Sequence, residues 1–248
     1  LTEPTAGNTG IALAALANAR GMPIELALPD GTPEEKKALL RFLGAGLLEV
    51  EDELCPLFPT EGARGVVKSL VESEAYNGRY VSPNQYENQL NVEAHYRTTG
   101  PEIWNQTGGE VDYFFAAFGT CGTITGVGRY LKERKPGVKI IGIEPAQRQH
   151  RLSGCKKISN LPEEHRPKIL DYSLLDDIIE VRDEDAFGAG IELARTEGLM
   201  VGPTTGALLH AARVTGASAR GTAVVISPDD AGKYISSYAA YLADQGAD

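Results

Sequence analysis

Along the chain, short apolar runs alternate with longer segments of helical period. Residues 23–29 (PIELALP), 45–50 (AGLLEV), 111–119 (VDYFFAAFG), 138–145 (VKIIGIEP) and 177–181 (DIIEV) are rich in branched or aromatic side chains and read as buried strands. Between them apolar positions recur three and four apart, as with Ile11, Leu13, Leu16 and Ala17, and read as helices that cover those strands. Further helices are predicted over 61–73, from about 92, from 119–126 to about 134, over 185–197, and after each of the turns at 202 and 227. Thr32, Pro33 and Glu35 supply a cap, an N1 proline and a capping-box carboxylate for a helix that Gly44 ends. Strand and helix alternating at this spacing predict an α/β fold built of parallel βαβ units.

One stretch breaks the pattern. Residues 79–106 are polar where a core strand is due, with Pro83 and several Asn residues interrupting them. A strand at 80–82, a loop carrying Gln85, Asn88 and Asn91, and a helix from Val92 are the expected elements. The change of composition places a domain boundary here, dividing the chain into 1–87 and 88–248. Residues 146–172 have no sustained period and hold six basic residues, Arg148, Arg151, Lys156, Lys157, Arg166 and Lys168.

The bulk properties narrow the function. The 248 residues carry a formal charge of -10, with 42% hydrophobic and 23% charged residues. Such an acidic, ordinary globular chain excludes general affinity for nucleic acid or anionic membranes, so an anionic ligand needs a local site. No apolar run is long enough to span a bilayer. The cysteines, Cys55, Cys121 and Cys155, lack metal-ligand spacing and point to a reducing, cytoplasmic setting.

Four segments share one design, a strand end followed by a turn of Gly, Ser, Thr, Asn or Asp and then a helix: 5–10, 119–126, 202–206 and 227–232. Turns at the carboxyl ends of parallel strands are where open α/β sheets bind ligands. Glycines let the backbone close on an anion, and the N–H groups of a following helix favour negative charge. The same residues also build turns that bind nothing. The 119–126 segment (GTCGTITG) lacks both the lysine of a P-loop and the spacing of a dinucleotide fingerprint, which ranks a nicotinamide site low. His95, His150, His165 and His210 fit no metal motif, and the carboxylates read as helix starts, so the site has little acid–base apparatus of its own and depends on a cofactor.

Five segments in order, EPTAGNTGIALA at Glu3, QYENQLNVEAHYRTTGPEIW at Gln85, GTCGTITGVGRYLKE at Gly119, GPTTGALLHAA at Gly202 and SPDDAGKYISS at Ser227, resemble the signature segments of the cysteine synthase family. That family contains O-acetylserine and O-phosphoserine sulfhydrylases and cystathionine β-synthase. The resemblance implies two open, mostly parallel twisted sheets with flanking helices in three αβα layers, a small substrate-binding domain and a large cofactor-binding domain. It implies pyridoxal 5'-phosphate as cofactor, an amino-acid substrate with sulfide or a thiol, and a homodimer.

Residue by residue, it assigns Thr5, Ala6, Gly7, Thr9 and Gln85 to the substrate carboxylate. Asn8 falls to the cofactor phenol oxygen, Gly119, Thr120, Cys121, Gly122 and Thr123 to the phosphate, and Gly202 to the ring edge. Asp230 stands where the family usually has a serine at the pyridine nitrogen; it either meets that nitrogen or turns outward to cap the next helix. Ala6 replaces a common serine and Cys121 a common glycine. The Schiff-base lysine of the family is expected upstream of Leu1. Its absence from these residues keeps a silent binding protein of the same fold open beside a β-replacement enzyme, with cystathionine synthesis or cysteine desulfuration as enzymatic alternatives.

Overall fold

The computed structural model describes residues 1–5, 7–51, 61–159 and 161–246. They divide into two compact units. The first holds Leu1–Asn84 with two returning segments, Gln149–Gly154 and Asp229–Asp248; the second holds Gln85–Arg148 and Cys155–Pro228. A composition change cannot reveal segments that return to a unit through tertiary contacts, and so the expected single boundary at 87/88 differs from this division.

In the first unit, β1 (Thr2–Pro4), β2 (Glu25–Pro29) and β3 (Gly46–Val50) form a parallel sheet in that order. The connecting helices are α1 (Asn8–Asn18) and α2 (Glu34–Phe42), and α3 (Gly62–Glu72) follows β3. Leu26, Leu28 and Leu40 are fully buried with Ala14 and Ala17 on one side, while Ala27 meets Ala63 and Val67 on the other. Alternation along β2 thus feeds both layers of helices. Gly44, at φ +81°, ends α2 as expected.

Two local expectations fail here. Pro33 caps α2, no side chain closes its first turn, and the Thr32 hydroxyl is buried without a hydrogen bond. Glu35, expected to reach back, instead accepts from Ser236 N at 2.6 Å and Ser236 Oγ at 2.9 Å, so a tertiary contact displaces the capping box. Residues 80–82 form no strand. They give β1 a backbone bond, Thr2 N to Val81 O, and beyond it Pro83 carries no N–H while the Glu3 carboxylate takes the Ser82 hydroxyl and Asn84 N–H.

In the second unit the sheet runs β6-β5-β4-β7, all parallel. Its strands are β4 (Tyr113–Ala117), β5 (Lys139–Pro145), β6 (Asp177–Val181) and β7 (Ala223–Val225). Around them lie α4 (Gln89–Arg97), α5 (Thr99–Gln106), α6 (Gly122–Arg134), α7 (Asp183–Glu197) and α8 (Pro203–Gly216). Phe114, Phe118, Leu131 and Ile140 are fully buried at its centre. Asn88 caps α4 by accepting from Leu90 N, so that helix starts three residues before Val92 and Asn91 lies on it, not in a loop. The chain closes with α9 (Ile235–Asp244) in the first unit. No helix among the described residues is long and apolar enough to cross a membrane.

Candidate active site

The four turns are distributed between the units. In the first, the loop after β1 is closed by Thr5, whose buried hydroxyl accepts from Gly7 N and Gly10 N, both at 3.1 Å. Gly10 is required for this closure, since a Cβ there would lie 2.6 Å from the Thr5 methyl. Gly7, at φ +156°, lies against Lys36, whose Nζ would sit 2.9 Å from an added Cβ. Ala6 lies outside the described residues. Thr9 is half-buried in the first turn of α1, which carries no acidic residue.

Behind the loop stands a network that sequence reading missed. Lys36 is almost wholly buried at 1% exposure and donates to the Tyr234 hydroxyl at 2.8 Å and to Ser153 Oγ at 3.3 Å. Tyr234 in turn donates to Asp229 at 2.7 Å. Asp229 accepts from Asn8 Nδ2 at 3.1 Å, and Lys233 donates to Asn8 Oδ1 at 3.2 Å. Both ends of the Asn8 amide are therefore engaged by residues 229–233. Asp230 is exposed and accepts from Gly232 N at 2.8 Å, capping the short 3-10 turn that precedes α9. The sequence left a cap of the next helix open to it beside a contact with the pyridine nitrogen; the cap it makes here is on the 3-10 turn, and Tyr234 stands at the N-cap of α9. The signal for Lys36 was its place four residues before Leu40, on the apolar face of α2.

In the second unit the 119–123 turn follows β4. Cys121 sits at φ +71° as the cap of α6, a left-handed conformation that explains why glycine is common there in the family. No side chain caps α6 and its first turn has no acidic residue, which leaves the N-terminal N–H groups of a thirteen-residue helix for a ligand. Asn91 donates to Thr120 Oγ1 at 3.0 Å and to Gln85 O at 2.8 Å. His95 Nε2 lies 3.1 Å from Thr123 Oγ1, and its Nδ1 lies 2.9 Å from Thr99 Oγ1. Desolvation holds the His95 pKa below the ordinary histidine value.

These two side chains reach the turn because α4 and α6 touch backbone to backbone. A Cβ on Gly122 would stand 2.1 Å from Asn91 Oδ1, and one on Gly126 would stand 2.4 Å from Val92 O. The 91/95 spacing facing the 122/126 glycine spacing was the legible signal. Gly202 caps α8, with Pro203 at N1, and Thr205 shares a 3.0 Å hydrogen bond with Ser227. Gln85 is half-buried, and its carbonyl is the one held by Asn91.

Most of the basic stretch is tied into structure. Lys157 pairs with Glu180 at 2.6 Å, Lys168 with Glu87 at 3.1 Å and Arg151 with Asp244 at 2.9 Å. Lys156 is buried with Nζ 4.4 Å from the centre of the Tyr86 ring.

A Gly/Thr-rich turn at a helix N-terminus with threonine hydroxyls, no side-chain cap and no acidic residue in the first helical turn fits a phosphate ester, and each unit is an α/β fold of the kind that carries a phosphorylated cofactor. The family model described as "Pyridoxal-phosphate dependent enzyme" matches residues 1–229. The chain belongs to that family. It is 40% identical over 238 residues to a cysteine synthase of Aquifex aeolicus, covering 94% of this chain and 70% of that one. Among solved structures it resembles a hydrogen sulfide-producing enzyme (TM-score 0.81, 32% identity, 95% of this chain, 71% of the other). It also resembles an O-ureido-L-serine synthase (TM-score 0.85, 28% identity, 99% of this chain, 79% of the other). Pyridoxal phosphate is thus the cofactor of the family to which the 119–123 turn belongs.

Proposed function

We propose that the protein catalyses β-replacement on an activated L-serine, O-acetylserine or O-phosphoserine, with sulfide or a thiol, to give L-cysteine. The observation that carries this reading is the presence, in a chain 40% identical to a cysteine synthase, of both a Thr5-closed loop and a 119–123 turn at a helix start without a side-chain cap. Bound pyridoxal phosphate supplies the electron sink that acidifies the substrate Cα–H and lets the β-substituent leave. The residues of this chain hold and orient. Thr5 through its hydroxyl proton, Thr9 through its hydroxyl, and the loop backbone at Ala6 and Gly7 take the substrate carboxylate, with the Gln85 side chain as a further donor. Thr120, Thr123 and the α6 N-terminus take the phosphate. Asn8 reaches the cofactor phenol oxygen by giving up its contact with Asp229 or Lys233. The reading includes a homodimer and a cytoplasmic location.

The test is cysteine formation by the full encoded protein with each donor and sulfide, monitored together with the cofactor absorbance. Product formation with neither donor overturns the reading. A second reading, release of sulfide from cysteine, is favoured by the likeness to the hydrogen sulfide-producing enzyme. Sulfide evolved from cysteine faster than cysteine is made would establish it in place of the first.

A further inference from the structure

A phosphate ester near neutral pH accepts hydrogen bonds, so a hydroxyl that binds it has to donate. Whether a threonine donates outward depends on what it meets behind. Asn91 Nδ2 contacts two oxygens, Gln85 O and Thr120 Oγ1. The first is a carbonyl that only accepts, which fixes the amide orientation and makes Asn91 the donor to Thr120 as well. Thr120 accepts from behind, and its own proton is left for the ligand. Four residues on, His95 faces Thr123 through Nε2 and Thr99 through Nδ1. With Thr99 donating to Nδ1, the Nε2–H tautomer donates to Thr123, whose proton is likewise left outward. Neither the Thr120 nor the Thr123 hydroxyl makes another hydrogen bond among the described residues.

We propose that Asn91 and His95 are positioning residues that set the hydrogen-bond polarity of the phosphate cradle, donating into Thr120 and Thr123 so that both hydroxyls meet the cofactor phosphate as donors. This rests on pyridoxal phosphate occupying the 119–123 turn. It extends the functional site to α4, which supports the turn through Asn91 and His95, and it requires binding of the cofactor to select one tautomer of His95.

The experiment compares native protein, His95→Gln, His95→Leu and Asn91→Ala, as full encoded chains. Dissociation constants are measured for pyridoxal phosphate and for pyridoxal, which lacks the phosphate, with the 31P shift of the bound cofactor. Glutamine places its amide nitrogen near the position of Nε2, so His95→Gln keeps native affinity within about 3-fold. His95→Leu and Asn91→Ala each weaken pyridoxal phosphate by about 10-fold, the scale of one hydrogen bond, and leave pyridoxal unchanged. Equal losses for both ligands, or no loss, overturn the proposal. A His95→Leu change in a Thr123→Val background has no further effect if the role runs through Thr123; a full additional loss overturns it. The 15N shifts of His95 in the native holoprotein need no variant: the Nε2–H form is expected, and the Nδ1–H form refutes the proposal. Native protein that binds pyridoxal normally but gains nothing from the phosphate removes the phosphate assignment on which the inference stands.

Discussion

Lys36 and Tyr234 are 198 residues apart in the chain and joined by a 2.8 Å hydrogen bond inside the first unit. A lysine at 1% exposure loses nearly all its hydration, and the Tyr234 hydroxyl, itself held by Asp229, replaces part of it. Tyr234→Phe keeps the ring that Lys36 overlies but deletes the bridge. It should cost about 2 kcal/mol in denaturant unfolding, in the range for a charged group losing one partner. With Lys36→Met, the double variant should fall short of the sum of the single costs by about 1 kcal/mol or more. Additive effects would mean that the two groups do not depend on each other.

Gly206 and Gly216 lie on one helix and predict opposite outcomes. A Cβ at Gly206 would stand 2.0 Å from the Ala186 carbonyl, so α7 and α8 would have to separate. Gly206→Ala should cost about 3 kcal/mol or prevent folding. At Gly216 a Cβ meets nothing within 4 Å, and Gly216→Ala should raise stability by about 0.5–1 kcal/mol. Thermal melts of the two variants are a sufficient check.

These cases mark what was legible in the sequence. The strands at 23–29, 111–119 and 138–145 stand close to where apolar runs placed them, because a strand buried on both faces writes its burial into composition; the strands at 45–50 and 177–181 also form, as half-buried sheet edges. The turn at 119–123 was legible as a ligand turn through its glycines and threonines. The supports were not. Asn91 lay in a stretch whose polarity read as loop, although that polarity faces the 119–123 turn from a helix. Lys36 and Asp229 act through partners near the far end of the chain, and no local pattern carries a contact of that span. Thr32 and Glu35 had the local signature of a capping box, and the bond from Ser236 overrode it.

The depressed pKa of His95 fixes the sign of one pH effect. Desolvation disfavours its charged form in the folded protein, while the unfolded chain takes up a proton near the ordinary value of 6.5. Below 6.5 the unfolded state binds more protons, so stability is lost as pH falls from there toward the folded-state pKa. His95→Gln removes this contribution. Urea unfolding of native protein and variant at pH 7.5 and pH 5.5 should show native protein losing more stability than the variant over that interval. Equal losses would place His95 in a more hydrated setting than the structure gives it.

Glu144 reaches the site through the backbone. From the end of β5 its buried carboxylate accepts from Ile158 N at 2.8 Å, Ser159 N at 3.0 Å and the Ser159 hydroxyl. The same segment donates Lys156 N to Phe118 O at 2.7 Å, one residue before the 119–123 turn. Glu144→Ala strands three donors and frees that segment, at an expected cost of about 3 kcal/mol. Glu144→Gln keeps one acceptor but turns an amide toward a donor, and should fall between. If the segment steadies the turn, pyridoxal phosphate affinity should fall in the same order, native above Gln above Ala, when measured at a temperature where all three are folded. A stability loss with unchanged cofactor affinity would confine Glu144 to holding its own loop.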